Sequence, residues 1–427
     1  MRYIADLHLH SKYSRACSKD LDLEHNEIWA KKKGIQIVGT ADFTHPAWFK
    51  ELQVKLTEDR AGLYKLKSNR LNEIKSESAD SQVLFMITTE ISCIYSQGGK
   101  VRRIHLCLFV PDFVTVAKIN LALEKRGVNL KSDGRPIMGL SAEEVTKIVL
   151  DANAESMVIP AHAWTPWFSV FGSNSGFDSL AECFGSMTKH IHAIETGLSS
   201  DPPMNWRWSA LDNITLISNS DAHSPANLGR EANAFEIVES ELSYGEIKKI
   251  IETKDRSKFL YTIEFFPEEG KYHHDGHRGC SINYSPSQTK KVKGICPVCK
   301  KPLTVGVLNR VDQLADRPIG QLANAVPYKS IVPLPEIIAE VLGVGKGSKK
   351  VALLYDDLIA KLGSEFSILL DIEYHRLQEI MPPELVLAIK NVREQQVEPI
   401  AGYDGEYGII KTLKPGQLKR PTQDKLI

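Results

Sequence analysis

Seven short apolar runs within the first 223 residues each carry, or lead into, a side chain able to bind a metal ion. That succession constrains the fold of this chain more than any other feature. Arg2–Ala5, Ile35–Gly39, Val83–Thr88, Ile104–Val110, Met157–Pro160, Ile191–Ile194 and Thr215–Ile217 read as buried strands. Amphipathic stretches such as Leu23–Lys33, Ser141–Asn153 and Ser243–Thr253 read as helices among them. Repeated alternation of strand and helix predicts an α/β fold with a mostly parallel sheet. Seven strands suit a barrel better than a doubly wound sheet.

The potential ligands come at fixed places. The first strand runs into Asp6-Leu7-His8-Leu9-His10. Residues two apart on extended chain face the same side, so His8 and His10 can serve one ion. Later strands lead to Asp42 and His45, to Glu90, to His162, to Glu195, and to Asp221 and His223, and one carries His105. In a parallel barrel such strand ends converge on the face where active sites sit. Hydrophobic periodicity asks for no imidazole or carboxylate at those ends. The mixture suits Zn²⁺, Mn²⁺ or Fe²⁺. There are more ligands than one ion needs, so two or three ions with a bridging carboxylate are expected. Such clusters acidify bound water and hold phosphoryl oxygens, which points to hydrolysis of phosphate esters. Glu195 fits a ligand, an orienter of a ligating imidazole or a polar strand end. Cys17, Cys93, Cys107 and Cys183 sit in or beside apolar stretches and read as small buried hydrophobes.

The order His-x-His, Asp, Glu, His, His, Asp-x-His at successive strand ends resembles the PHP (polymerase and histidinol phosphatase) superfamily. The resemblance implies a distorted seven-stranded β/α barrel, like a TIM barrel, with a trinuclear centre. It implies one ion on His8, His10, Glu90 and Asp221, and a second on Glu90, His105 and His162. A third would use His223 with Asp42 and His45. Glu90 and Asp221 would be central to catalysis, with His162 or His223 as proton donor to the leaving oxygen. The chain departs from the common pattern at Asp42-Phe43-Thr44-His45, where Asp and His are often adjacent, and at Ala16, where a further His is common.

Other features bound the rest of the chain. It has 427 residues, 42% hydrophobic and 25% charged, as in ordinary globular proteins. No stretch approaches about 18 uninterrupted apolar residues, so no membrane span is expected. Residues 1–10 lack the pattern of a signal peptide, and seven cysteines, an odd number, fit a reducing cytoplasm better than a disulfide scaffold. Residues 270–427 carry 22 Lys and Arg against 17 Asp and Glu, leaving 31 against 36 for residues 1–269. An acidic first part suits a carboxylate-rich metal site, and a mildly basic second part suits phosphate contact. The expected organisation is a barrel over 1–262, a linker, a zinc module over 271–310, a helical DNA-binding part over 311–402 and a tail over 403–427.

In the second part, His277-Arg278-Gly279-Cys280 precedes Cys296-Pro297-Val298-Cys299. Three thiolates and an imidazole complete a tetrahedral structural zinc site, with His273 or His274 as alternatives to His277. Further on, Gly343-Val344-Gly345-Lys346-Gly347-Ser348 joins two helices and could aim backbone N–H groups at a phosphate, with Lys346, Lys349 and Lys350 adding charge. In the first part, Trp164, Trp167, Phe168 and Phe171 follow His162 and could stack on a base or wedge into a duplex. Arg102 and Arg103, with Arg207 and Arg230, could clamp phosphates.

The whole chain resembles the endonuclease Q family. The segments that carry this are Gly39-Thr-Ala-Asp-Phe-Thr-His-Pro46, Glu195-Thr-Gly-Leu-Ser-Ser-Asp-Pro-Pro203, Ser220-Asp-Ala-His-Ser-Pro225, Cys296-Pro-Val-Cys299 with Gly306-Val-Leu-Asn-Arg-Val311, and Ala401-Gly-Tyr-Asp-Gly-Glu-Tyr407. The resemblance implies hydrolysis of the phosphodiester 5′ to a deaminated base (hypoxanthine, uracil, xanthine) or an abasic site in DNA. It implies divalent ions in the barrel (Zn²⁺, with Mn²⁺ or Mg²⁺ for activity), one structural zinc and a nucleoid-associated enzyme. The tail Gln417–Ile427 has no aromatic residue, which speaks against sliding-clamp binding through it. The rival readings are a PHP phosphatase or exonuclease on small or single-stranded substrates, and a repair scaffold without catalysis.

Overall fold

A computed structural model describes residues 1–67, 82–318, 320, 322, 324–414 and 416–417. Residues 418–427, which hold nearly all of the tail considered for clamp binding, lie outside the described residues.

Ten strands frame the site: β1 (Arg2–Asp6), β2 (Ile37–Gly39), β3 (Leu84–Gln97), β4 (Lys100–Val110), β5 (Met157–Pro160), β6 (Ala193–Glu195), β7 (Thr215–Ile217), β8 (Ala232–Glu236), β9 (Phe259–Phe265) and β10 (Tyr328–Ile331). One ladder runs β5-β4-β3-β2-β1-β8-β9-β10. β6 and β7 form a separate parallel pair. A few bonds join the segments around that pair to its neighbours. The Ala163 N–H donates to the Glu195 carbonyl at 2.9 Å, and the Asn233 side chain on β8 donates to the Ser218 carbonyl at 2.7 Å.

The sheet is mixed, not mostly parallel. β1–β2, β2–β3, β6–β7 and β9–β10 are parallel, whereas β3–β4, β4–β5, β1–β8 and β8–β9 are antiparallel. The reason is local. Val83–Thr88 and Ile104–Val110 belong to one long hairpin, closed at Gly98-Gly99 with φ of 61° and 72°. Two successive positive-φ residues make the tight turn whose twist matches paired strands. No helix can fit in so short a connection, so the two strands must run antiparallel.

Alternation along the strands divides the apolar residues between two cores. Leu84 and Met86 pack with Ala5, Leu7, Ile37, Phe109, Ile159 and Phe235. Phe85 and Ile87 pack on the opposite face, in a core that continues through Ile337, Leu358 and Leu385 of the C-terminal helices. The helices Leu23–Lys33, Ala142–Ala152 and Tyr244–Thr253 begin at Asp22, Ser141 and Ser243, whose side chains accept a backbone N–H of the first turn.

The stretch expected as a linker begins inside a strand, because Ile263–Phe265 ends β9 and is buried. β10 adds to β9 in parallel. The helices Leu334–Leu342, Lys349–Leu362 and Pro383–Arg393 follow. They are fastened to the first part by a buried Lys33–Glu365 ion pair at 2.7 Å and by an Arg2–Asp371 pair. The segment Ala401–Tyr407 returns to residues 271–310. Its Gly402 carbonyl accepts from His274 N–H at 2.9 Å, and Asp404 accepts from Arg278 N–H and the Thr304 hydroxyl, both at 2.7 Å. Among the described residues no helix is long and apolar enough to cross a membrane.

Candidate metal centre

His8 and His10 follow β1, Glu90 lies within β3, and Asp221 follows β7. One donor atom from each of the four lies within 4.8 Å of the others. His10 Nε2 is 3.0 Å from Asp221 Oδ1 and 3.3 Å from Glu90 Oε2, while His8 Nε2 is 3.6 Å from Glu90 Oε2. Glu90 turns its other oxygen to a second group. Oε1 is 2.7 Å from His105 Nδ1 and 3.2 Å from His162 Nε2. The hairpin makes this possible, since Glu90 and His105 stand on adjacent antiparallel strands.

The geometry fits metal ions. Ligand atoms about 2.0–2.2 Å from a shared ion lie roughly 3–3.5 Å apart, close to these separations. His8 Nε2 is buried with no hydrogen-bond partner, and so is Asp42 Oδ1. A buried unpaired polar atom costs about 1–3 kcal/mol, which an ion would relieve. Charge agrees. Burial alone would raise the Glu90 carboxyl, but His105, Arg135 and His8 outweigh it and hold it well below the usual range. Asp221 is likewise held well down, against its burial, by His10, His223 and His8. Burial pushes His105 down to about 4, leaving its ring neutral and free to bind an ion.

Surrounding groups orient these ligands. Both Glu195 oxygens lie 3.0 Å from His8 Nδ1. Glu195 also accepts from the His162 backbone N–H at 2.8 Å and from Asn219 Nδ2 at 3.0 Å. It therefore fixes the His8 ring with Nε2 aimed at Glu90 and Asp221. Cys107 joins His8 and Glu195 in a further buried group, but burial pushes its thiol up to about 12. Asp42, His162 and Asp221 have positive φ (43°, 29° and 46°), a conformation that costs a side-chain-bearing residue roughly 1–3 kcal/mol. Each is braced: Asp42 by Ser11 and Ser14, His162 by Glu195, and Asp221 through its carbonyl by Arg230 at 3.2 Å.

The residues expected at a third ion are not gathered. Asp42 Oδ1 faces His10 Nδ1 at 3.5 Å, and the His223 ring lies 4.6 Å from the His10 ring. His45, however, caps the helix Pro46–Lys55 and stacks on Tyr13 at 4.4 Å. Its Nδ1 is buried with no hydrogen-bond partner. Among the described residues, Asp42, His45 and His223 form no three-residue group.

At the second cluster, His277, Cys280, Cys296 and Cys299 each offer an atom within 4.8 Å of the others. His273 and His274 point elsewhere, their Nδ1 atoms meeting the Ser199 carbonyl at 3.3 Å and Asn283 Oδ1 at 2.9 Å.

The expected DNA contacts divide. Trp164 and Phe171 are 1% and 0% exposed, so neither can stack on a base. They pack on each other and on Trp208, and Trp164 donates to Asn205. Trp167 is half-buried beside Tyr272, and Phe168 covers His105 at 4.6 Å. Arg103 lies over Phe168, while Arg102 is spent on the Gly176 carbonyl and the Phe177 ring. Arg207 pairs with Asp312, and Arg230 serves the Ser220 and Asp221 carbonyls. Lys346 pairs with Glu336 at 2.9 Å, whereas Lys349 and Lys350 are exposed at the start of their helix.

Two solved structures share this fold end to end. The lesion-specific endonuclease PfuEndoQ from Pyrococcus furiosus matches with a TM-score of 0.83 and 30% identity, over 99% of this chain and 98% of that one. The chain belongs to the endonuclease Q family. A second endonuclease Q, solved with a 27-mer duplex substrate carrying an abasic lesion at the active site, matches with a TM-score of 0.84 and 31% identity, over 99% and 100% of the two chains. The chain is also similar to the uncharacterized protein YqxK of Bacillus subtilis, 28% identical over 421 residues, 95% of this chain and 98% of that protein. MJ0043 of Methanocaldococcus jannaschii is 33% identical over 263 residues, 60% of this chain but 32% of that larger protein, so this chain spans only about a third of it. The MJ0043 C-terminal domain model matches residues 333–396.

Arg135, Ser11, Ser14 and Asn219 are functional neighbours that sequence reasoning missed. Arg135, Ser11 and Ser14 end no apolar run and repeat no ligand spacing; Asn219 alone carried a signal, standing two residues before Asp221.

Proposed function

We propose that this endonuclease Q family chain nicks duplex DNA by hydrolysing the phosphodiester 5′ to a deaminated base or an abasic site. Glu90 carries the proposal. It presents one oxygen to His105 and His162 and the other to His8 and His10, the arrangement of a carboxylate shared between two ions. Divalent ions held there, Zn²⁺ with Mn²⁺ or Mg²⁺ as activating alternatives, would acidify water and neutralise phosphoryl charge. His8, His10, Glu90 and Asp221 would hold one, and Glu90, His105 and His162 the other. A third would use Asp42 and His45, whose Oδ1 and Nδ1 are both buried without a hydrogen-bond partner. One structural zinc would sit on His277, Cys280, Cys296 and Cys299.

In the reaction the water oxygen bonds to phosphorus and the P–O3′ bond breaks, giving a 3′-hydroxyl and a 5′-phosphate. The leaving oxygen needs a proton. His223 would give it as the imidazolium, a state that burial disfavours but that its 35% exposed side chain can reach by taking a proton from solvent, while the side chains of His8 and His10 are nearly closed. Its Nδ1 meets the Asp221 carbonyl at 2.8 Å, which directs Nε2 away from the backbone. Phe168, half-buried over His105, and the exposed Lys349 and Lys350 would contact the duplex, with the enzyme associated with the nucleoid.

The test uses end-labelled duplexes carrying one deoxyinosine, one deoxyuridine or neither, with and without chelator, beside Asp221→Ala. A single chelator-sensitive nick 5′ of the modified base, absent in the variant, is expected. Equal cleavage of all three duplexes, or of none with Mg²⁺, Mn²⁺ or Zn²⁺, would refute the proposal.

A further inference from the structure

We propose that Arg135 is a further catalytic residue, gripping the phosphate under attack with the guanidinium nitrogens that Glu90 leaves free. The proposal rests on the endonuclease reading above.

Arg135 arrives on a loop shaped to reach the metal centre. The Gly134 N–H donates to the Tyr13 carbonyl at 3.1 Å, and the Ser92 N–H to the Pro136 carbonyl at 3.0 Å. The Thr44 hydroxyl donates to the Gly134 carbonyl at 3.3 Å. A Cβ on Gly134 would lie 2.2 Å from Asp42 Oδ2 and 2.4 Å from Ser14 Oγ. Only glycine lets the backbone come so close to Asp42, and the next residue is the arginine. Past Pro136 the chain pairs with β3 at Ser92 and Cys93, two residues beyond Glu90 on the same strand. The loop is therefore registered against the strand that carries the shared carboxylate.

One guanidinium nitrogen, Nη1, donates to Glu90 Oε2 at 2.8 Å. Nε and Nη2 have no protein partner among the described residues. The Arg135 side chain is 27% exposed, while Glu90 beneath it is fully buried. The head group is thus anchored on Glu90 Oε2, the oxygen that faces His8 and His10, with its other two nitrogens left for a further acceptor. Of the other arginines near the centre, Arg102 is spent on a carbonyl and a ring, Arg207 on Asp312 and Arg230 on two carbonyls, while Arg103 lies over the Phe168 ring and not on Glu90. A planar fork with one prong fixed suits a phosphate oxygen in the transition state, where negative charge grows.

The simpler role, an ion pair that only steadies Glu90, makes different predictions. Single-turnover nicking of a lesion duplex by full-length Arg135→Ala and Arg135→Lys would separate the two, with bound metal per chain and melting temperature measured on the same samples. Arg135→Ala should nick about 10²–10³-fold more slowly, the usual cost of removing one donor to a developing oxyanion. Metal content and melting should be unchanged. Arg135→Lys should stay impaired, because an ammonium pairs with Glu90 but offers no fork, and added guanidinium should partly restore Arg135→Ala. Replacing one scissile phosphoryl oxygen by methyl should slow Arg135→Ala less than wild type for the stereoisomer that removes the gripped oxygen. Nicking by Arg135→Ala within about threefold of wild type would overturn the proposal. So would a loss matched by lost metal, or one that guanidinium does not relieve and that adds fully to the methyl substitution in both stereoisomers. A wild-type chain that nicks no lesion duplex would refute the endonuclease reading itself, and the Arg135 assignment with it.

Discussion

Replacing Glu195 by Gln changes one buried atom, and the contacts around it set the effect. Oε1 accepts from His8 Nδ1 and Asn219 Nδ2, and Oε2 from His8 Nδ1 and the His162 N–H, all between 2.8 and 3.0 Å. Every partner is a donor. An amide has one acceptor oxygen, so its NH₂ must face a donor whichever way it turns. If it takes the place of Oε1, Asn219 is left without its acceptor and the His8 Nδ1–H keeps only one of its two oxygens, beside an NH₂ that repels it. If it faces His162, the left-handed turn at His162 loses its brace. A buried donor left unpaired costs about 1–3 kcal/mol. Loss of a carboxylate that orients a ligating imidazole typically weakens metal binding about 10–100-fold, the same range in free energy. Glu195→Gln should therefore bind divalent ions about 10–100-fold more weakly, measured by competition with a chromophoric chelator. The melting temperature of the metal-free protein serves as the control for the fold. Unchanged metal affinity, with the cost appearing only as lower metal-free stability, would refute the orienting role.

Three further outcomes are expected. Trp164→Ala should cost about 3–5 kcal/mol of stability in denaturant unfolding, because it empties a buried aromatic site; a loss of DNA affinity with full stability would contradict its burial. Burial pushes the Glu264 carboxyl up to about 8, against the pull of the Thr262 and Thr196 hydroxyls and with Asp201 adding like charge. The folded state then binds a proton that the unfolded state releases above its ordinary 4.5, so this contribution is full below that pH and is lost as pH rises towards 8. Melting temperature should fall over that window and fall less in Glu264→Gln; parallel profiles would exclude Glu264. Cys299→Ser should release one zinc per chain and expose Ala401–Tyr407 to limited proteolysis, since that segment is bonded to the same module; an unchanged digestion pattern would show that the module holds without its ion.

Much of the candidate centre was legible because His8, His10, His162 and Asp221 follow strand ends, which show as breaks in apolar runs; Glu90 and His105 instead lie inside the two strands of the long hairpin, at or within the apolar runs that marked them. The third-ion group is less legible, because spacing along a loop carries no direction: His45 stacks on Tyr13 with its Nδ1 buried and unpartnered. Arg135 was invisible because the apolar pattern does not mark loops; its position depends on Gly134 lying against Asp42, a contact 92 residues apart in sequence. Trp164 and Phe171 looked like a surface feature because they follow a ligand on a Gly/Ser-containing loop. That loop instead folds inward, where Arg310 binds the Phe171 and Phe177 carbonyls. The antiparallel pairings were hidden for another reason. Gly98-Gly99 was not read as a turn, and β8, β9 and β10 lie where polar residues such as Asn233, Thr262 and Glu264 interrupt the apolar signal.

The addition of β10 to β9 bears on how this chain can be divided. A cut after residue 262 would sever β9 midway and strip away the strand that covers its outer edge. The remaining backbone would offer a row of unpaired N–H and C=O groups, a template for joining a second molecule. The catalytic half thus borrows its solubility from the half that follows. Proteolysis between them should yield aggregates, and exchange of this half between proteins in evolution would have to carry β10 along.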